Sequence, residues 1–109
     1  MLAKPGRRVV HVESPPPSSD MERLREEMGC LAFVPPGHAG PSPPWLRYKL
    51  WRVHSAVVRA ACEEAGIEFF AAPPTSLMDS AFLKPELHDR PCHANGAFGA
   101  LVLQALGVV

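Results

Sequence analysis

The side chains best suited to chemistry lie in one stretch, Leu87–Gly99, which reads Leu-His-Asp-Arg-Pro-Cys-His-Ala-Asn-Gly-Ala-Phe-Gly. It brings His88, Asp89 and His93 onto a loop interrupted by Pro91, with an apolar helical pattern starting just beyond. An imidazole exchanges protons near neutral pH, and a carboxylate beside it fixes its tautomer and orientation. A loop held by rigid elements is where such groups concentrate. The stretch therefore has the makings of a general-base site.

The elements that must position it can be followed along the chain. Arg8–Val12 is a β-branched run closed by Pro15-Pro16-Pro17, as expected of a buried strand whose end opens into a loop. Glu13 and Ser14 fall at that opening, and their plain reading is a solvated strand end. Ser19 and Glu22 have the spacing of a capping box, which predicts a helix from about Asp20 to Met28. Its charges, Arg23, Arg25, Glu26 and Glu27, read as a solvated face with weak ion pairs. Gly29–Pro44 is too rich in proline for a long regular element, although Leu31–Val34 is apolar enough for a short strand or buried loop.

Leu46–Ala65 carries the strongest periodic signal. Leu46, Leu50, Val53, Val57, Ala61 and Ala65 recur at helical spacing and predict one buried stripe, widened by Trp51 and Val58 and closed by Gly66. His54 sits beside that stripe. Ile67–Ala72 then reads as a strand stopped by Pro73-Pro74. A strand, a helical crossover and a second strand imply parallel pairing with a right-handed connection, so the loops after both strands share one edge of the sheet. Asp79, Asp89 and His93 follow the second strand, on the edge where open α/β sheets bind ligands. Thr75–Pro91 is irregular, with a turn of helix expected near Leu77–Phe82. From the N-cap Asn95, the spacing of Phe98, Leu101, Val102, Ala105 and Leu106 predicts a final helix that ends at Gly107.

Composition narrows the function classes. A chain of 109 residues supports one small core, and thirteen prolines cluster between elements. Eleven basic and eleven acidic residues leave no net charge, so neither nucleic acid nor a membrane surface is an expected partner. The N-terminus lacks the apolar core of a signal peptide, and no run is long enough to span a bilayer. Cys30, Cys62 and Cys92 are odd in number and far apart, which fits a reducing, cytoplasmic setting.

His93-Ala94-Asn95 followed by Ala97-Phe98-Gly99, with an Asp upstream and Leu-Val-Leu-Gln-Ala-Leu downstream, resembles the last conserved block of SGNH (GDSL-type) hydrolases. The likeness extends back through Leu46–Pro74 to Val9–Pro17. It implies a partial three-layer, flavodoxin-like α/β fold, with a short parallel sheet flanked by helices. The implied activity is a serine esterase or acyl hydrolase without a cofactor or a metal. His93 would take the proton from a serine and return it to the leaving group, and Asp89 would hold the other ring nitrogen. The family usually has its Asp three residues before the His, where this chain has Arg90, so Asp89 lies one residue further away. Phe98 replaces a frequent Tyr and Cys92 a frequent Thr.

The family's Gly-Asp-Ser and Gly-x-Asn-Asp blocks do not occur, and Ser14, Ser55, Ser76 and Ser80 lack the strained glycine-flanked turn of a nucleophile. The resemblance is thus to the C-terminal half of such an enzyme. A small acyl ester would be its substrate once the half carrying the nucleophile is joined to it. A sheet of only two strands leaves an edge free to self-associate. Two other readings stand beside this one. His88, Cys92 and His93, with Cys30 or His38, could ligate zinc, although their spacing matches no standard module. The chain could also be a non-catalytic remnant or small interaction domain, in which Asp89 and His93 only cap and pack the last helix.

Overall fold

The computed structural model describes residues 6–29, 42–79, 81–89 and 93–108. It is a mixed α/β arrangement. Strand β1 (Val10–Val12) leads through helices α1 (Met21–Gly29) and α2 (Pro44–Ala65) to strand β2 (Glu68–Phe70). Two short hairpins follow, β3 (Leu77–Met78) with β4 (Phe82–Leu83) and β5 (His88–Asp89) with β6 (His93–Ala94), before the final helix α3 (Gly96–Leu106).

β1 and β2 pair in parallel, with Val10 opposite Glu68 and Val12 opposite Phe70, as a β–α–β crossover requires. Neither strand has a second neighbour among the described residues. Arg8 clamps the amino end of the pair through a two-pronged bond to Glu68, at 3.1 and 2.7 Å. That hydrogen bond, together with the guanidinium charge, holds the Glu68 carboxyl below its ordinary range. The clamp is therefore intact at neutral pH and is lost as pH falls through the depressed carboxyl range. Its exposure to solvent keeps its worth small.

At the other end the strands are tied by Glu13. Its amide donates to the Phe70 carbonyl at 2.9 Å, and its buried carboxylate accepts from the Ala72 amide at 2.9 Å. Trp51 donates its indole N–H to the Ser14 carbonyl at 2.9 Å. Glu13 and Ser14 thus tie the strand ends to Phe70, Ala72 and Trp51.

The core lies on the Val12 and Phe70 face of the sheet, where Ala72, Leu83, Leu87, Phe98 and Val102 cluster. The proline run reaches this core as well. The Pro17 carbonyl accepts from the Leu83 amide at 3.0 Å, and Ser76, wholly buried, bonds the Pro73 carbonyl at 2.6 Å.

Several local expectations hold. α2 stops at Gly66, whose φ of 71° is the left-handed conformation that suits glycine, although it starts two residues before Leu46, at Pro44. α3 is capped by Asn95 and stops at Gly107, φ 76°. Others are corrected. The α1 cap is Asp20, whose Oδ1 accepts from the Arg23 amide at 3.0 Å, while Ser18 Oγ takes the Asp20 amide at 3.1 Å; the Ser19–Glu22 box does not form. A hairpin replaces the expected helical turn near Leu77–Phe82, flanked by 3-10 turns at Pro74–Ser76 and Pro85–Leu87. Each turn starts on a proline whose fixed φ suits the first position and whose missing N–H costs nothing there. The segment Leu31–Val34 lies outside the described residues.

The largest correction concerns α2. Its packed face is Trp51, Ser55, Val58 and Cys62, with Arg59 over the Phe69 ring at 4.4 Å. Trp51 and Val58 pack as expected, but the centre of the expected stripe points outward, with Leu50 57%, Val53 57% and Val57 64% exposed. His54 is exposed too. The physical reason is anchoring. Trp51 bonds Ser14, and Arg47 bonds the carbonyls of Ser18 and Ser42, so the proline-rich segment claims that flank of the helix. The match is imperfect, because the buried Ser55 hydroxyl finds no partner among the described residues.

No helix among the described residues is long and apolar enough to cross a membrane. Leu83→Ala, at a position 2% exposed, is expected to cost roughly 2–5 kcal/mol in urea unfolding. Val57→Ala, in dilute solution, should stay within about 0.5 kcal/mol despite its place in the strongest periodic stripe.

Candidate functional site

The loop carrying Asp89 and His93 is held from two sides. On one, Asn95 donates its amide to the Leu87 carbonyl and its side-chain Nδ2 to the Glu86 carbonyl, both at 2.8 Å. Its Oδ1 accepts from the amides of Ala97 and Phe98 at 3.0 and 3.2 Å, which starts α3. One residue therefore caps the helix with its side chain and closes the base of the β5–β6 hairpin with its backbone amide.

On the other side lies α1. Arg23 and Glu27 pair one helical turn apart at 3.0 Å, and both then turn onto the loop. Arg23 donates to the carbonyls of Pro85 and His88, each at 3.3 Å. Glu27 Oε1 lies 3.0 Å from Nε2 of His88, whose side chain is only 2% exposed. A buried imidazole needs a partner for its ring N–H, and Glu27 supplies it. Arg23 and Glu27 are thus struts of the loop, and the reading of α1 as a purely solvated charged face is corrected. Their spacing showed the pair within the helix, whereas nothing local showed that His88 would meet it.

Alternation along β5 and β6 then separates the histidines. His88 stands opposite Ala94 and faces inward; Asp89 stands opposite His93, and both are exposed. Because the Asn95 amide bonds the Leu87 carbonyl, residues 87 and 95 form a hydrogen-bonded pair, and 89 with 93 is the next such pair along the ladder. That geometry sets their Cα atoms roughly 5.5 Å apart with both side chains on one face. An Asp and a His so placed can share a proton between carboxylate and ring nitrogen after a rotamer change. In this structure no hydrogen bond joins them. The hydrogen bonds of the hairpin base fix the backbone of this pair, and both side chains are exposed.

The other candidate groups do not converge on this pair. Asp79, in the β3–β4 turn, has a φ of 53°, a left-handed conformation that Asp tolerates better than most residues. Among the described residues no group of three His, Cys, Asp or Glu side chains is placed to hold a metal ion. His88 is engaged by Glu27, while Cys30, His38 and Cys92 lie outside the described residues. Cys62 is a free thiol, buried in the packed face of α2. Of the serines, Ser18, Ser55 and Ser76 are buried.

Two substitutions test the supports of the loop. Asn95→Ala should destabilise the protein by about 1–2 kcal/mol through loss of the cap. Glu27→Ala should cost roughly 1–3 kcal/mol by leaving a buried imidazole unpartnered. The exposed neighbour Glu26→Ala should stay within about 0.5 kcal/mol, all three being read from urea unfolding midpoints.

No protein-family model matches the chain, and no curated protein or solved structure was found to match it.

Proposed function

We propose that the chain is the general-base half of a serine esterase or acyl hydrolase of the SGNH type, with the partial flavodoxin-like fold that this implies. The observation that carries the proposal is the placement of Asp89 directly opposite His93, both exposed, on a hairpin closed by the cap of α3. The parallel β1–β2 pair with its helical crossover is the kind of scaffold that such a site needs. The hairpin follows β2 in the chain, as expected of a loop beyond a strand's carboxyl end.

In the reaction, His93 takes the proton from a serine hydroxyl as that oxygen attacks the ester carbonyl. It then returns the proton to the departing alcohol, and the second half-reaction repeats the exchange with water. Asp89 accepts a hydrogen bond from the other ring nitrogen and holds the tautomer that allows the transfer. The serine and the oxyanion donors are contributed by the half of the fold that bears Gly-Asp-Ser, and the substrate is a small acyl ester. The free Cys62 thiol fits a cytoplasmic setting.

A second reading, a non-catalytic remnant or small interaction domain, draws on the lack of a side-chain bond between Asp89 and His93 and on the burial of Ser18, Ser55 and Ser76. The two separate in a protein that joins this chain to a nucleophile-bearing half. There, His93→Ala should lower kcat toward short p-nitrophenyl esters by roughly 10²–10⁴-fold with an unchanged circular dichroism spectrum, and Asp89→Asn should lower it less. Undiminished activity in the His93→Ala protein would remove His93 from the chemistry and leave the non-catalytic reading.

A further inference from the structure

The face that α2 leaves uncovered has a regular pattern. Leu46, Leu50, Val53, Val57, Ala60 and Glu64 follow one another at alternating steps of four and three residues, the repeat of a helix that packs lengthwise on another helix. Leu50, Val53 and Val57 at its centre are 57%, 57% and 64% exposed, and Trp45 beside its amino end is 63% exposed. A contiguous exposed apolar stripe of this kind marks an interaction surface.

The charges beside the stripe say what covers it. Lys49 stands near the amino end of α2, while Glu63 and Glu64 stand in its last turn, with no basic residue there and no acidic residue in the first turn. Both signs are at the wrong ends for the helix's own dipole, which favours anions at the amino end and cations at the carboxyl end. Lys49, Glu63 and Glu64 also make no ion pair within the chain among the described residues. A second helix of the same charge order, laid antiparallel, would reverse both mismatches at once. It would set the acidic end of each copy against the basic end of the other.

We infer that α2 is the self-complementary surface of a two-fold symmetric dimer of this chain, with the α2 helices antiparallel. In that register Val53 of each copy meets Val57 of the other and Leu50 meets Ala60. Lys49 then lies beside Glu63 of the second copy, and symmetry makes the ion pair twice. Such an isologous contact closes on itself and does not propagate into a fibre. It is separate from the edges of the β1–β2 sheet and from the Asp89–His93 hairpin, and it does not depend on the proposed catalysis.

The test is sedimentation velocity of the full chain over a concentration series, with circular dichroism as the check on folding. The wild-type protein should show a concentration-dependent dimer, and Val53→Asp with Val57→Asp should be monomeric with an unchanged spectrum, since both positions are exposed. Lys49→Glu or Glu63→Lys alone should each weaken association by roughly tenfold, as two attractive pairs become repulsive. Their combination should restore it toward wild type. A wild-type monomer throughout, a dimer indifferent to the Val53 and Val57 changes, or a double charge swap no tighter than the single swaps would each overturn the inference. A dimer abolished by proline substitutions in β1 and not by those in α2 would assign association to the sheet edge instead.

Discussion

Much of the carboxyl-terminal half depends on how one polar side chain is satisfied. Asn95 uses its backbone amide, its side-chain amide and its side-chain carbonyl to bind Leu87, Glu86, Ala97 and Phe98. The unpaired amides of the first helical turn must find acceptors, and an Asn at the cap offers one without disturbing the backbone. Since the same residue also grips the 85–87 turn, starting α3 and closing the hairpin are one event. Phe98 and Val102 then reach the core, where they join Leu83 from β4 and Leu87 from the turn before β5. Were the cap lost, the core would lose the fixed approach of α3, and the Asp89–His93 pair would lose the base on which it stands.

The second support is electrostatic and costs more to build. Burying the imidazole of His88 is unfavourable unless its ring N–H is met, and a carboxylate from a different element meets Nε2. Glu27 is itself steadied by Arg23, whose guanidinium also binds two loop carbonyls. The consequence for the surface is indirect but strong. With His88 committed inward, the alternation of the hairpin leaves Asp89 and His93 no choice except the outer face. A buried structural histidine thus sets the exposure of its neighbour.

α2 illustrates a competition between apolar burial and specific anchoring. Its most hydrophobic stripe remains outside because the two-stranded sheet is narrow and the proline-rich segment binds the opposite flank through Trp51 and Arg47. The helix consequently has two distinct faces. One carries Trp51, Ser55, Val58 and Cys62 against the rest of the chain, and the other exposes Leu50, Val53 and Val57. Periodicity alone shows that a helix has an apolar side and does not show what that side will meet.

The sequence by itself determined the elements whose causes are local. The proline stops after β1 and β2, the glycine ends of α2 and α3, the Asn95 cap and the parallel crossover were all legible, because each rests on backbone conformations and hydrogen bonds within a few residues. That Asp89 and His93 come just before a capped helix was legible for the same reason. Only the tertiary structure decided that Asp89 faces His93 across a hairpin, that His88 turns inward onto Glu27, that Asp20 caps α1 in place of Ser19, and which side of α2 is buried. These depend on groups brought together from distant parts of the chain, where the cost of an unmet polar group or the width of a sheet overrides local preference.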